Sequence, residues 1–403
     1  MERSHLSAAN TGPLAGIRVV DLTSVVMGPS CTQILGDLGA DIIKIEHPDG
    51  DNTRWIGPAR HEGMGALFMN NNRNKRSVVL DLKTKAGREA ATRLLETADI
   101  VVESFGPGVT ERLGIDYERV RTLRPDVVYC SISGFGTRGP LSQAKGYDVI
   151  LQAYSGMMSL TGEKDGSPAR SPISPIDQAT GIHAALGIVG AIVKRFRTGK
   201  GMKIEASLFD TSLAFMAYVI QSVWERGKEP QRWGSAHESL CPYQVFQASD
   251  RPFLLGVAND TLWQSFCHVA NAPALAAEAR FATNAGRVEH RQEVLDAVSA
   301  IIAQDTCDAW LAKFGKAGIP CAPMLGVMDV LAHPHTAASE MILNLPRSGD
   351  PHLKAVSQPL RFDGERPSAQ YPPPALGEHT NEILASLGFG PQEIDRIALA
   401  ERV

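Results

Sequence analysis

Ser174-Pro-Ile-Asp-Gln-Ala-Thr-Gly-Ile-His-Ala-Ala-Leu-Gly-Ile-Val-Gly-Ala-Ile-Val-Lys194 is the stretch on which the reading of this chain turns. A single acid, Asp177, stands at the head of a long apolar run. Ile182, Leu186, Val189 and Val193 recur at i, i+4, i+7 and i+11, with Ala185, Ile188 and Ile192 on the flanks, and this spacing predicts a helix. A helix that is apolar nearly all round is expected to be buried. Pro175 suits its first turn, Lys194, Arg195 and Arg197 suit its last, and Thr198-Gly199 stops it. Asp177 then lies at the positive end of the helix dipole, which is expected to hold a carboxylate ionised at neutral pH. Two readings stay open for it: an ordinary N-cap, or a catalytic acid in a buried setting.

Upstream of this helix, apolar runs and helical patterns alternate. Residues 16–22 read as a strand, 28–39 as a turn and short helix, and 41–46 as a second strand. The alternation continues with a strand at 77–82, a helix at 85–98, a strand at 99–104, a short helix at 117–123 and a strand at 126–133. The last strand ends in the glycine-rich turn Gly134-Phe-Gly-Thr-Arg-Gly139. Helical runs at 149–160 and 210–226 flank a strand at 202–208. The fold class expected is α/β, with a Rossmann-like, doubly wound parallel sheet whose ligands bind at the carboxyl ends of the strands. The turn after the first strand reads Leu-Thr-Ser-Val-Val-Met-Gly-Pro, not GxGxxG, and a GxxxxGK[ST] loop is missing too. A nicotinamide cofactor and a P-loop nucleotide site are therefore disfavoured.

Residues 227–239 are polar and serve as a boundary. Beyond them come an antiparallel strand pair at 243–246 and 252–257 and helices at 261–270, 287–304 and 306–317, a small α+β domain. The division expected is a large domain over 1–226, a small one over 227–330, and a return to the large domain over 331–403, closing with a final helix at 380–387.

A formal charge of −4 on 403 residues gives no reason to expect nucleic acid or a membrane surface. The longest apolar run, 184–193, is short for a bilayer, and the first residues hold no apolar signal region. The six cysteines form no CxxC pair or Cys/His cluster, so a structural zinc is not expected and reduced thiols in the cytosol are.

A set of motifs runs along the chain in order: Gly16-Ile-Arg-Val-Val-Asp-Leu22, Gly39-Ala-Asp-Ile-Ile-Lys-Ile-Glu46, Asn74-Lys-Arg-Ser77 with Leu80-Asp-Leu-Lys83, and Phe105-Gly-Pro-Gly108 with Leu113-Gly114. The set continues through Ser133-Gly-Phe-Gly136, Gly146-Tyr-Asp148, Arg197-Thr-Gly-Lys-Gly201 and Gly377-Glu-His-Thr380. Taken together, this set resembles that of the class III CoA-transferases, the CaiB/BaiF family. The resemblance implies transfer of CoA from an acyl-CoA to a free carboxylic acid through an aspartyl-CoA thioester on Asp177, with no tightly bound cofactor, metal or ATP. It also implies an interlocked homodimer of ring-shaped chains.

By position, the resemblance carries CoA contacts onto Val25, Val26 and Met27, onto His47, onto Leu80 to Lys83, onto Ser104, Phe105 and Gly106, and onto Arg112, Lys145 and Tyr147. The segment 234–246 resembles that of members using succinyl-CoA and dicarboxylic acids. A second carboxylate wants a cation, and His237, Arg54, Arg73 and Arg170 are the candidates. The family also contains α-methylacyl-CoA racemases, whose catalytic histidine falls here on Tyr147; a phenol is a poor base at neutral pH, which favours the transferase. His183, six residues into the helix, reads as a hydrogen-bonded core histidine. A racemase or epimerase, or a catalytically silent CoA-binding protein, are the rival readings.

Overall fold

Val19, Val20 and Leu22 lie on one short strand and end in two different cores. The computed structural model describes residues 12–400, apart from 60, 348, 349 and 368. In β1 (Arg18–Leu22), Val19 packs with Leu35, Ile42, Ile100 and Ile188, while Val20 and Leu22 pack with Ile43, Val78, Leu94 and Val101. Successive side chains point to opposite faces of a strand. A strand apolar on both faces is therefore covered on both, as parallel sheets are.

The other strands of this sheet are β2 (Asp41–Glu46), β3 (Lys75–Val79), β4 (Ile100–Glu103), β5 (Val128–Ser133) and β6 (Met202–Ser207). The sheet is six-stranded, ordered β3-β2-β1-β4-β5-β6, and every pair is parallel. β1 lies between β2 and β4, with Val20 opposite Ile43 on one side and Val101 on the other. This is the doubly wound order the sequence predicts. Its direction of winding reverses between β1 and β4, so the turns after these strands part and leave a crevice.

The Pro175–Thr198 helix packs along the Met27–Asp37 helix and over β5 and β6. Its buried side is small or branched: Ala184, Ala185, Ile188, Ala191 and Ile192. The stripe expected in the core is instead turned outward, with Ile182 56%, Leu186 68% and Val193 45% exposed. A helix apolar all round carries no mark of which side faces in, and here the side rich in alanine admits the closer approach. His183 is likewise exposed, its ring set edge-on to Phe215, so it is not a core histidine. The helix is long and apolar enough to cross a bilayer by length and composition. Its buried side against the sheet is that of a core helix.

Several boundaries differ from the pattern. The helix expected at 149–160 is divided at Gly156 (φ +87°) into Asp148–Tyr154 and Met157–Leu160. The one expected at 210–226 starts at Leu208 and is divided into Leu208–Phe215 and Ala217–Arg226. The Thr380–Ser386 helix packs on β3 and is not the last. Pro391–Ala400 follows, and it sets Ile394 and Ile397 into the core beside Leu94 and Leu95.

The chain forms two compact units. One holds this sheet and draws on Ser171–Arg226 and the described residues from Ala337 onward. The other takes Met158–Arg170 with Gly227–Thr336. Residues 158–170 therefore group with the smaller unit, held there by Arg232, which donates to the carbonyls of Ser159, Glu163 and Gly166. The smaller unit has an antiparallel sheet of β7 (Tyr243–Gln247), β8 (Pro252–Gly256) and β9 (Cys321–Pro323), its helices closing over Trp263, Phe266, Trp310 and Phe314. The helix expected at 287–304 is two, Asn284–Glu289 and Arg291–Ile302.

Candidate active site

The Pro175–Thr198 helix has no cap of its own: Ser174 makes no side-chain hydrogen bond to its first turn. The cap comes from another helix. Asp148 Oδ2 accepts the backbone N–H of Ile176 at 2.8 Å and of Asp177 at 3.0 Å. Gln152 Nε2 donates to Asp148 Oδ1, and Gln152 Oε1 accepts the Ser171 N–H at 2.9 Å. The first turn of the long helix is thereby tied to the Asp148–Tyr154 helix.

Asp177 is 8% exposed. Burial, and then the nearby charge of Asp148, push its carboxyl up to about 7. The helix dipole was expected to keep this group ionised at neutral pH; loss of water and a like charge outweigh it. Asp177 is thus a basic carboxylate poised near neutrality.

Asp177 opens on a cavity of about 530 Å3 at the carboxyl ends of β1, β4 and β5, in the crevice that the strand order creates. Its walls hold Val25, Val26 and Met27 after β1, Ser104, Phe105 and Gly106 after β4, Gly134 and Phe135 after β5, and Lys145 and Tyr147. A second cavity of about 480 Å3 is lined by His47, Leu80, Lys83 and Arg112, and it shares Ser24 and Phe105 with the first. His47, Lys83 and Arg112 are exposed at its mouth, while Leu80 is buried. The residues expected around CoA therefore gather into an inner and an outer cavity joined across Ser24 and Phe105. Lys145 lies with Asp177 in the inner one, apart from Arg112.

The turn after β1 does without the glycines of a dinucleotide fingerprint. Val25 sits at φ +72°, a left-handed conformation that is strained for a β-branched residue. Neighbouring side chains hold it. Asp51 Oδ1 accepts the Val25 N–H at 3.4 Å, Ser104 Oγ accepts the Ser24 N–H at 3.2 Å, and Lys44 Nζ donates to the Thr23 carbonyl at 2.7 Å. Lys44 also pairs with Asp51 at 3.1 Å. After β4, Glu103 Oε2 accepts the Phe105 N–H at 2.9 Å and fixes the other wall; burial raises the Glu103 carboxyl above the usual range.

Two expected substrate cations are committed elsewhere. Arg54 is buried in a two-pronged pair with Glu46 at 2.6 and 2.8 Å, with its guanidinium 3.7 Å over the Phe68 ring. Arg73 is buried against Asp37 at 2.6 and 2.9 Å. Both brace the fold, and neither is available to a substrate carboxylate. Arg170 and His237 belong to the smaller unit, where Arg170 is exposed. The His237 ring meets Tyr243 edge-on and accepts the Ser239 N–H at 3.0 Å.

Asp148, Glu103 and Asp51 are the residues that sequence reasoning did not single out. Asp148 was within reach, as the acid of Gly146-Tyr-Asp148. Its task, bonding to a helix 28 residues on, has no local signature.

A family model for CoA-transferase family III matches residues 14–380. The acetyl-CoA:oxalate CoA-transferase of Acetobacter aceti is 39% identical over 366 residues, 89% of this chain and 92% of that protein. The succinyl-CoA:glutarate CoA-transferase of Mus musculus is 35% identical over 373 residues, 92% of this chain and 86% of that protein. Among solved structures, a CaiB/BaiF family protein from Brucella suis matches with a TM-score of 0.84 at 37% identity, covering 93% of this chain and 99% of that one. Matched in sequence and in fold along nearly its whole length, the chain belongs to CoA-transferase family III.

Proposed function

We propose that this class III CoA-transferase moves CoA from succinyl-CoA to a small dicarboxylic acid, with Asp177 as the covalent relay. The observation that carries this reading is a buried carboxyl, pushed up to about 7, on the wall of a cavity at the sheet's crevice. The Asp177 carboxylate attacks the thioester carbonyl, the C–S bond breaks, and CoA leaves as thiolate from a mixed anhydride. The thiolate then attacks the Asp177 carbonyl of that anhydride. Succinate leaves, and Asp177 holds CoA as a thioester. The acceptor carboxylate reverses both steps, so thioester energy is kept and no net proton is consumed.

The paired cavities suit this substrate. Lys83, Arg112 and His47 at the outer mouth match the phosphates and adenosine of CoA. The passage across Ser24 and Phe105 matches its pantetheine arm, which delivers the thioester to Asp177. With Arg54 and Arg73 committed, Lys145 on the inner wall is the cation we assign to the second carboxylate of succinyl or acceptor. The relatives named above act on glutarate and oxalate, both dicarboxylates.

The outward apolar stripe of Ile182, Leu186, Val193 and Phe196 supports a homodimer of this chain, with the interlocked, ring-shaped arrangement of its family. The cysteines, free in the structure, suit the reducing cytosol.

The test is peptide mass spectrometry after incubation with succinyl-CoA, with Asp177→Asn as control. A CoA-sized adduct on the Asp177 peptide of the wild type alone supports the reading. Adduct formation in the variant, or α-proton exchange without any adduct, overturns it.

A further inference from the structure

Asp148 does what a serine could have done without charge. N-caps need one oxygen to accept the first-turn N–H groups, and Ser174, already in place, could supply it. The chain instead brings a 7%-exposed carboxylate from a different helix to within 3.0 Å of the backbone nitrogen of Asp177. A second carboxylate behind the first is costly, and such costs gather at functional sites.

We propose that Asp148 is a positioning residue for the transfer reaction: it orients the first turn that carries Asp177 and keeps a negative charge behind the Asp177 carboxyl. The inference rests on Asp177 being the nucleophile. Three donors converge on Asp148, the N–H groups of Ile176 and Asp177 and the Gln152 amide, so the protein itself solvates this charge. Burial and Asp148 together make Asp177 more basic than an ordinary aspartate. Attack on the thioester converts Asp177 into a neutral anhydride and then a neutral thioester. The repulsion from Asp148 is therefore present in the resting enzyme and relieved as the bond forms, which favours the covalent state.

Other titratable groups on the elements packed against this helix have partners or sites of their own. Asp37 of the Met27–Asp37 helix is paired with Arg73, and Lys203 and Glu205 of β6 pair with each other. Tyr129 of β5 donates to the Ile115 carbonyl, and Asp210 accepts from Ser207 Oγ. Cys31 and Cys130 are buried thiols pushed upward by loss of water, and Tyr154 packs edge-on to Phe135. Asp148 is the charge whose field reaches Asp177.

The experiment compares the wild type with Asp148→Asn and Asp148→Ala. Asparagine keeps an acceptor for both N–H groups and loses the charge; alanine loses both. The Asp177 carboxyl is followed by NMR in protein carrying 13C-labelled aspartate, its signal assigned with Asp177→Asn, and the CoA adduct from succinyl-CoA is quantified against pH in parallel. In Asp148→Asn the fold is retained, the Asp177 midpoint falls by about one pH unit or more, and the acidic limb of adduct formation follows it. Asp148→Ala additionally loses thermal stability. An unmoved midpoint in Asp148→Asn overturns the inference, whether or not the wild type forms the adduct. A lowered midpoint in a protein whose wild type forms no adduct leaves the charge behind Asp177 standing and removes the nucleophile reading instead.

Discussion

A methyl group built on Gly181 would lie 2.1 Å from Ser30 Oγ. It would also lie 2.8 Å from the Met27 carbonyl oxygen. The serine hydroxyl could turn away, but the carbonyl is backbone and cannot. Gly181 is one helical turn past Asp177, and Met27 lines the same cavity. The contact thus sets the distance between the helix that carries Asp177 and the turn after β1. Gly181→Ala is expected to cost about 1–3 kcal/mol of stability and to lower kcat at unchanged pH optimum, read by thermal melts and steady-state kinetics.

Asp177→Asn removes the proposed covalent relay and is expected to abolish transfer while raising stability at alkaline pH. The folded carboxyl titrates near 7 against an ordinary value of 3.8. Its contribution to stability is fully present below pH 4 and is lost as pH rises through 7. The variant escapes that loss, by up to about 4 kcal/mol at pH 8, and its advantage vanishes near pH 4. Melting temperatures of both proteins across this range check the sign. Wild-type transfer should rise as pH passes about 7, since the proposed attacking form is the carboxylate.

Arg54→Met leaves Glu46 buried without its cation. A loss of roughly 3–5 kcal/mol is expected, with the KM for the acceptor acid unchanged in whatever enzyme remains folded. A raised acceptor KM at unchanged melting temperature would return Arg54 to the substrate site.

Arg112→Ala acts on the outer cavity. The KM for succinyl-CoA should rise about tenfold, which is about 1.4 kcal/mol, while turnover of a succinyl-pantetheine thioester, lacking the nucleotide, stays the same. Equal loss on both substrates would mean that Arg112 supports the fold, not the phosphates.

Lys145→Ala should raise the KM for dicarboxylic acceptors and leave that for monocarboxylic ones alone. An acceptor screen at fixed succinyl-CoA separates the two.

The alternation of strand and helix, and therefore the doubly wound sheet, was legible because it rests on local patterns. Buried parallel strands read as unbroken runs such as Arg18-Val-Val-Asp-Leu22, and two of the helices between them carry their own caps, Thr84 before Lys85–Glu96 and Asp116 before Tyr117–Leu123. Asp177 was legible as the lone acid at the mouth of an apolar helix. Helix breaks were less so. Gly156 and Met216 interrupt runs whose apolar spacing continues across them. The Pro391–Ala400 helix escaped notice because Ile394 and Ile397 find their core against its neighbour Thr380–Ser386 and against Lys85–Glu96, some 300 positions earlier.

What the amino-acid sequence determined by itself is the order of elements, the family pattern and the identity of the acid at the crevice, all carried by neighbours in the chain. The tertiary structure alone decided which charges are committed and which remain. Arg54 and Arg73 look as free in the sequence as Lys145 does, until folding sets Glu46 and Asp37 beside them. The state of Asp177 was decided in the same way. Its dipole is local and favours the charge, but burial and Asp148 arrive from elsewhere in the fold. Loss of water, and then a like charge 29 residues away in sequence, outweigh the helix on which the aspartate stands.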